Sequence, residues 1–274
     1  MSELAPAKIN LCLFLGATRA DGRHELVSVM QSLAWGDTVT ADHAEHDEVV
    51  CPGVNGPNLA AAALASVAGR PPMRLTIDKR IPVAAGLGGG SADAAAALRI
   101  AGGEAGLGED ELLALAAGLG ADVPAQVRPG RSLATGAGEV LEHLDAAPRF
   151  GVLVVPSVRA LSTADVYREA DRLGLPRRPA DLAARHDEVR AGLREGPFGL
   201  ATDLLVNDLE PAALRLCPSI AGDLDAIREL GADRVMVSGS GPTVLGLFAD
   251  PAGAQQAADQ LVGRTPQVIA TTPL

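Results

Sequence analysis

Aromatic side chains are scarce in this sequence. Phe, Trp and Tyr make up only 2% of its 274 residues, whereas hydrophobic residues of all kinds make up 47%. The core must therefore be built from Ala, Leu, Val and Ile, and long Ala-rich runs favour helices. A chain of this length is expected to form one large domain or two closely packed domains.

Cysteine and long apolar runs are also in short supply. Cys12, Cys51 and Cys217 lie far apart without a C-x-x-C spacing, which argues against a zinc site or a disulfide framework and fits a reducing cytoplasm. No stretch approaches the roughly 18 uninterrupted apolar residues of a membrane helix, and the N-terminus lacks a positive segment followed by an apolar one. We therefore expect neither secretion nor membrane insertion.

Positive charge is outweighed by negative charge. The formal net charge of -11 would repel a nucleic-acid backbone over most of the surface, so no nucleic-acid partner is expected. Any anion that this protein binds must be held by local geometry. His43 and His46 lie among acidic residues and are typical of an exposed loop, so no protein metal site is predicted.

The patterns along the chain divide it into two blocks. A second block begins near the apolar strand at 152–155, so we expect an N-terminal domain at 1–150 and a C-terminal domain at 151–274. Strands and helices mix without regular βαβ repetition, which predicts an α+β fold. The expected local elements are an acidic hairpin or loop at 38–50, a helix at 58–68, a strand at 74–79, a helical stretch at 163–195 and a hairpin at 234–248.

Residues 8–15 alternate closely enough to form a strand. One face carries the apolar side chains of this segment, and Lys8 and Asn10 therefore share the other face. If Lys8 lines a cleft, Asn10 is expected to line it too and to help position a substrate.

A glycine-rich segment at 82–95 is the strongest signal in the chain. Its sequence is PVAAGLGGGSADAA, with four glycines in five positions feeding into a helix. We expect Ser91 to cap that helix and Asp93 to complement its dipole. Backbone N–H groups can then face inward at the positive end of the helix, an arrangement that binds phosphate. A flexible linker or a plain helix cap is the alternative, but a cap needs only one or two permissive residues, so phosphate binding is favoured. The residues expected to contact the phosphates are Pro82, Gly86, Leu87, Gly88, Gly89, Gly90, Ser91 and Ala92.

The glycine-rich segment lacks features of two common phosphate-binding motifs. No Gly-Lys-Ser/Thr ends it, which excludes a Walker A loop. Gly86 and Gly88 begin a dinucleotide fingerprint, but Ser91 occupies the sixth position and the preceding strand alternates. A nicotinamide-dependent oxidoreductase is therefore the weaker interpretation.

Five motifs in order carry a family resemblance. They are PAKINL at 6–11, DGRHEL at 21–26, the glycine-rich segment at 82–95, GADVP at 120–124 and GSGPT at 239–243. The chain resembles the GHMP kinase superfamily and, within it, the family of kinases that act on 4-diphosphocytidyl-2-C-methyl-D-erythritol. The resemblance runs from residue 6 to about residue 248.

The resemblance implies a two-lobed GHMP fold with the active site in a cleft between the lobes. It also implies transfer of the ATP γ-phosphoryl group, with ATP-borne Mg²⁺, to the substrate 2-hydroxyl in non-mevalonate isoprenoid precursor synthesis. Lys8 and Asp122 match the catalytic pair: Asp122 accepts or orients the hydroxyl proton, and Lys8 stabilises the alkoxide. From local sequence alone, Asp122 would brace a turn before Pro124 and Lys8 would be a solvated strand residue.

The substrate side of the site is also carried over from the resemblance. His24 corresponds to a cytosine-reading histidine, and Arg23 stands where the family usually has Tyr, with a guanidinium plane that can also stack on a base. Tyr167 is either the other aromatic wall or a half-buried core residue. Gly239 and Ser240 belong to a turn that lies against the nucleotide loop in the superfamily, although a simple hairpin turn gives the same pattern.

Taken together, these expectations describe a cytoplasmic enzyme, monomeric or homodimeric, whose partner is a small molecule carrying cytidine diphosphate. Two alternatives remain open at this point. One is a GHMP kinase of the homoserine or mevalonate type, against which the 21–26 motif argues. The other is a non-catalytic nucleotide-binding module, against which the presence of both Lys8 and Asp122 argues.

Overall fold

The computed structural model describes residues 1–54, 56–157 and 159–274. The chain forms two compact units, each built from separated segments. Unit 1 contains Met1–Lys8, Trp35–Val83 and Gly88–Pro129, and unit 2 contains Ile9–Ala34, Ala84–Leu87 and Gly130–Leu274. The two longest strands contribute residues to both units.

The elements follow one another in an α+β order, as the sequence predicts. In the described part of the chain the strands are β1 Ser2–Thr18, β2 His24–His43, β3 Glu48–Val50, β4 Met73–Asp78, β5 Arg131–Thr135, β6 Val140–Leu144, β7 Gly151–Val155, β8 Arg234–Val237, β9 Val244–Phe248 and β10 Ile269–Thr271. The helices are α1 Leu59–Ser66, α2 Gly89–Ala105, α3 Glu109–Ala117, α4 Val123–Val127, α5 Thr163–Arg172, α6 Pro179–Gly192, α7 Glu210–Leu216, α8 Ile220–Glu229 and α9 Pro251–Leu261, with a 3-10 turn at Thr202–Leu204.

Unit 1 packs helices against a small sheet. Residues 38–43 of β2 pair antiparallel with β4, and β3 runs parallel to β4 on its other side. Helix α2 is the centre of the core, because a run of fully buried alanines between Ala92 and Ala101 lets the neighbouring helices approach closely. This packing fixes where the glycine-rich segment enters the helix.

Unit 2 contains further strand pairs. Residues 28–31 of β2 pair with β5, which pairs with β6, and a separate antiparallel sheet has the order β10-β7-β9-β8. The predicted hairpin of β8 and β9 is confirmed. Helices α8 and α9 bury apolar side chains in the core around this second sheet.

Three local predictions are wrong, each for a physical reason. The 38–50 region is neither a hairpin nor one loop: residues 38–43 belong to β2, where Val39 and Ala41 are buried and the strand pairs with β4, and residues 48–50 form β3, which also pairs with β4 and not with β2. The single helical stretch at 163–195 is two helices, separated at Gly174, whose φ is +69°. Ser91 does not cap α2, since the helix already begins at Gly89.

Strand β1 departs from the expected one-sided pattern. It is buried continuously from residue 5 to residue 16, so both of its faces are covered. Lys8 and Asn10 therefore lie inside the protein, where polar side chains require partners. Among the described residues, no helix has the length and apolar character needed to cross a membrane.

Candidate active site

The glycine-rich segment enters α2 through a backbone conformation that suits glycine. Gly88 is the N-cap residue, with φ +70° and ψ 19°, and no side chain caps the helix. The amide of Ala92 donates to the carbonyl oxygen of Gly88 at 2.9 Å, so the amides of residues 89–91 precede the first helical hydrogen bond. Amides at this end of a helix carry partial positive charge and are suited to bind an anion.

Lys8 and Asp122 meet within unit 1. Nζ of Lys8 lies 3.3 Å from Oδ2 of Asp122, and the Lys8 side chain is 10% exposed whereas that of Asp122 is 36% exposed. Asp122 occupies the N-cap position of α4 but makes no side-chain capping bond, which counts against a purely turn-bracing role. The two residues are 114 positions apart in sequence.

The side chain of Lys8 also lies alongside the glycine-rich segment. A Cβ atom added to Gly88 would lie 2.9 Å from Cγ of Lys8 and 3.3 Å from its Cε. The missing side chain at position 88 therefore makes room for Lys8. Unit 1 brings together the cation, the carboxylate and the positive start of α2, three of the components that phosphoryl transfer requires.

The 84–87 part of the glycine-rich segment lies against the 238–241 turn in unit 2. A Cβ on Gly86 would lie 2.8 Å from the carbonyl oxygen of Gly241 and 2.9 Å from that of Ser238. Oγ of Ser238 donates to the carbonyl oxygen of Gly86 at 3.4 Å. The turn thus contacts the glycine-rich segment, as the superfamily resemblance implies.

Asn10 is buried near the same turn. Its Nδ2 donates to Oγ of Ser28 at 2.7 Å, and that hydroxyl donates to the carbonyl oxygen of Cys12 at 2.6 Å. A Cβ on Gly239 would lie 3.4 Å from Oδ1 of Asn10. These contacts fix the amide of Asn10 beside Gly239.

Asn207 is a structural residue of this region that sequence reasoning missed. Its Nδ2 donates to the carbonyl oxygens of Val237 and Gly239, at 2.8 and 2.7 Å, while its Oδ1 accepts from the amide of Leu209 at 3.0 Å. One buried side chain therefore fixes the backbone of the turn. An asparagine within an otherwise apolar run was the available signal.

His24 lies in a second polar group within unit 2. Its Nε2 is 2.8 Å from Oδ1 of Asp171 and 3.1 Å from Oγ1 of Thr18. A carboxylate only accepts, so the Nε2 proton points to Asp171, and in the neutral ring Nδ1 is then an acceptor. The ring centroid of Tyr167 is 5.1 Å from that of His24, with the planes tilted by 47°.

Asp171 and Tyr167 both project from α5, which is connected to the turn described above. Oγ1 of Thr163, the first residue of α5, lies 3.1 Å from Oγ of Ser240. Ser240 therefore links the turn to the helix that contacts His24. Asp171 was not predicted, because its pairing with His24 depends on tertiary structure and not on sequence spacing.

The guanidinium and the backbone amide of Arg23 both contact Asp21. Its Nε and Nη2 donate to Oδ2 of Asp21 at 3.1 and 3.0 Å, and its backbone amide donates to Oδ1 at 3.0 Å. These bonds lower the pKa of Asp21, with the backbone bond contributing most. The side chain of Arg23 is nevertheless 48% exposed, so one face of its guanidinium is accessible.

A buried cluster that sequence reasoning missed lies beside the start of α2. Nζ of Lys79 donates to Oδ2 of Asp37 at 2.5 Å and to Oδ2 of Asp93 at 2.9 Å. Burial raises the pKa of Asp93 to about 7 against the opposing effect of Lys79. Burial opposes the charged form of Lys79, but its bonds to both carboxylates outweigh this and raise its pKa. Asp93 is thus an ion-pair partner rather than the helix-dipole complement that the sequence suggested.

The described residues contain no group of three or more His, Cys, Asp or Glu side chains that could hold a metal ion. The three cysteines are unpaired with one another, Cys12 and Cys217 being buried. Burial raises the pKa of Cys12 to about 12, which makes it a poor nucleophile or metal ligand.

Two family models match the chain. The one described as GHMP kinases N terminal domain matches residues 55–130, and the one described as GHMP kinases C terminal matches residues 186–266. Together with the α+β fold and the Lys8–Asp122 pair beside a glycine-rich helix start, they define a GHMP kinase. The protein is therefore a small-molecule kinase.

Close relatives narrow the class further. The chain is 40% identical to a 4-diphosphocytidyl-2-C-methyl-D-erythritol kinase of Streptomyces coelicolor, with 93% of this chain and 90% of the relative covered. It is 41% identical to a kinase of the same name from Salinispora arenicola, with 93% and 86% covered. A crystal structure of 4-(cytidine 5'-diphospho)-2C-methyl-D-erythritol kinase matches with a TM-score of 0.80 at 32% identity, covering 100% of this chain and 99% of the other. The chain belongs to the 4-diphosphocytidyl-2-C-methyl-D-erythritol kinase family.

Proposed function

We propose that this kinase transfers the γ-phosphoryl group of ATP to the 2-hydroxyl of 4-diphosphocytidyl-2-C-methyl-D-erythritol, in non-mevalonate isoprenoid precursor synthesis. The observation that carries the proposal is the Lys8–Asp122 ion pair, 3.3 Å long, next to Gly88. Relatives of about 40% identity over most of the chain carry this substrate in their names, which favours it over homoserine or mevalonate.

Asp122 is the group that accepts the hydroxyl proton. Its carboxylate is partly exposed and can meet a substrate, and its Oδ2 lies 3.3 Å from the buried ammonium group of Lys8. Lys8 also stabilises the negative charge that develops on the attacking oxygen. A non-catalytic nucleotide-binding module would have no use for this pair.

The start of α2 is the proposed binding place for the ATP phosphates. The amides of residues 89–91 precede the first helical bond and are not capped by a side chain, so they fit an anion. Ser91 adds a hydroxyl in the first turn, where it is expected to approach the phosphates or their magnesium ion. Magnesium carried by ATP neutralises phosphate charge during transfer.

The His24 group supports a cytosine ring as the recognised base. With Nε2 donating to Asp171, the neutral ring offers Nδ1 as an acceptor for the 4-amino group of cytosine. Uracil carries a carbonyl oxygen at that position and cannot donate to it. Tyr167 supplies an aromatic face beside His24, and Arg23 offers its exposed guanidinium face as a second stacking surface.

The direct test measures ADP formation by purified protein with Mg-ATP and the cytidyl substrate, followed by identification of the 2-phosphorylated product. Homoserine and mevalonate are the comparison acceptors, and turnover with either of them alone would reassign the substrate. ATP binding without turnover on any acceptor would support the non-catalytic alternative.

A variant pair tests the role of Asp122. Asp122→Asn is expected to bind ATP normally and to lower turnover at least about 100-fold, the usual scale for losing a proton acceptor. Asp110→Asn is the matched control, because Asp110 is an exposed carboxylate in the first turn of α3 in the same unit. Wild-type turnover in Asp122→Asn would remove this carboxylate from the mechanism.

A further inference from the structure

The cluster of Asp37, Lys79 and Asp93, called the clasp below, lies at both ends of the segment formed by residues 82–88. Oδ1 of Asp37 accepts hydrogen bonds from the backbone amides of Arg80 and Ile81, at 2.6 and 2.7 Å. The residues just before the segment are therefore tied to Asp37. Lys79 then connects Asp37 to Asp93, which lies on α2 just after the segment.

The two ends of the segment are packed together at this point. A Cβ on Gly89, the first residue of α2, would lie 2.9 Å from Cγ2 of Ile81 and 3.2 Å from Nζ of Lys79. No side chain other than hydrogen fits at position 89 without displacing one of them. The clasp and this contact together set the spacing between the strand side and the helix side of the glycine-rich segment.

Stability alone is a poor explanation for the clasp. Asp37 is fully buried and Asp93 is 4% exposed, so two carboxylates share one ammonium group away from water. Oδ1 of Asp93 is buried without a hydrogen-bond partner among the described residues. Removing such charges from water costs about as much as their attraction returns, and apolar residues often stabilise a core equally well. A costly ion cluster beside a candidate anion site therefore points to a geometric role.

We propose that Lys79, held between Asp37 and Asp93, is a positioning residue that fixes the glycine-rich segment in the shape that binds the ATP phosphates. The inference rests on the proposed function in that this segment is taken to bind ATP. Two of the three N–H groups of the Lys79 ammonium donate to the carboxylates, and the clasp reaches the backbone of the segment through the amides of Arg80 and Ile81, which donate to Asp37. Preorganised amides bind an anion more tightly than amides that must first be ordered.

The test compares Asp93→Ala and Asp37→Asn with the wild-type protein. Asp93→Ala frees the helix end of the clasp, whereas Asp37→Asn keeps an oxygen for the backbone amides but replaces the oxygen that accepts from Lys79 with an NH2 donor, so the bond to Lys79 is lost. Each variant is expected to raise KM for ATP, and Kd for ATP by calorimetry, about tenfold, the scale of one lost charge-assisted hydrogen bond. The value of kcat is expected to change by less than about threefold, and Asp93→Asn is expected to recover part of the ATP affinity.

Two comparisons separate positioning from general destabilisation. Glu3→Gln removes the ion pair between Oε2 of Glu3 and Nε of Arg99, which are 2.7 Å apart. Arg99 lies on the same helix α2, but this pair does not touch the glycine-rich segment. The Glu3→Gln variant should therefore leave KM for ATP unchanged. Affinity for cytidine 5'-diphosphate should also stay unchanged in both clasp variants. If one clasp variant fails to fold, the other carries the test.

The inference is overturned if ATP affinity in the clasp variants stays within about twofold of wild type. It is also overturned if ATP and cytidine diphosphate affinities fall together, or if Glu3→Gln has the same effect. Calorimetry with ATP needs no turnover, so the clasp can be tested even if the wild-type protein does not phosphorylate the cytidyl substrate. A wild-type protein that does not phosphorylate the cytidyl substrate would contradict the proposed function but not the proposed role of the clasp.

Discussion

Replacing Gly88 with Ala tests the most exacting feature of the site. Gly88 combines a left-handed backbone, φ +70°, with a position at which the Lys8 side chain occupies the space that a Cβ atom would need. Ala at this position must pay for the left-handed conformation, which costs an L-residue roughly 1–2 kcal/mol. Its Cβ would also lie 2.9 Å from Cγ of Lys8, closer than carbon atoms normally approach.

The second effect determines the catalytic consequence. Lys8 is only 8% exposed and has little space in which to retreat, so its side chain must shift by several tenths of an ångström. That shift moves Nζ away from its present position 3.3 Å from Asp122. Misplacing a reacting group by about 1 Å can cost 100-fold in rate, so we expect kcat to fall by about 10- to 100-fold.

Gly103→Ala is the matched control, since Gly103 is an exposed glycine in the same helix with no atom within 4 Å of an added Cβ. It should gain up to about 1 kcal/mol from helix propensity and keep wild-type kinetics. The assays are urea unfolding midpoints and steady-state turnover with Mg-ATP and the cytidyl substrate. Wild-type turnover in Gly88→Ala, with a midpoint at or above that of Gly103→Ala, would refute the argument.

Three further outcomes follow from the structure. Asp93 binds a proton more tightly in the folded protein, because its pKa is raised from 3.8 to about 7. The protonated Asp93 therefore adds to the unfolding free energy in full below about pH 4, and this contribution is lost as the pH rises to 7. At roughly 1.4 kcal/mol for each pH unit, the loss amounts to at most about 4 kcal/mol. Asp93→Asn should flatten that dependence in urea titrations, and an unchanged slope would contradict the assignment. Asp171→Ala should raise KM for the cytidyl substrate about tenfold and leave KM for ATP unchanged; an equal rise for both would show a structural effect. Cys12 should resist alkylation at pH 8 until the protein unfolds, because burial raises its pKa to about 12, whereas the less buried Cys51 should react first, as mass spectrometry of the labelled peptides would show.

Local signals in the sequence were sufficient to predict many of the helices and strands. The helix at 59–66 begins after Asn58, whose side chain accepts from the amide of Ala60, and the β8–β9 hairpin follows its predicted turn. The prediction for 38–50 was wrong because its acidic residues suggested a hairpin or loop, whereas both of its strands pair with β4. The pairing of β2 with β4 depends on a distant partner strand, as in Val39 opposite Ile77, 38 residues further along the chain.

In the candidate site, too, the contacts between residues far apart in sequence could not be predicted from local signals. Spacing could not show that Lys8 and Asp122 meet, and only the family resemblance paired them. Asp93 was interpreted from its place near a helix start, because nothing local shows that Lys79 approaches it. The Asp171 contact with His24 joins residues 147 positions apart, which is equally invisible without an alignment.

Some expectations stay predictions. They include the boundary at residue 150, the cytoplasmic location, the monomeric or homodimeric state, and the individual binding roles of Arg23, Tyr167 and Ser240. Gel filtration with light scattering would measure the assembly state.

The segmented make-up of the two units has a consequence for protein synthesis. Every residue of unit 1 has been translated once Pro129 is reached, but unit 2 is complete only when the C-terminal residues arrive. Residues 28–31 must therefore wait for their partner strand β5, about one hundred residues later, and the backbone of residues 32–34 waits for residues 272–274, more than two hundred residues later. During that interval the apolar side chains of this segment are only partly covered, so the nascent chain is expected to be the state of this protein most in need of a chaperone.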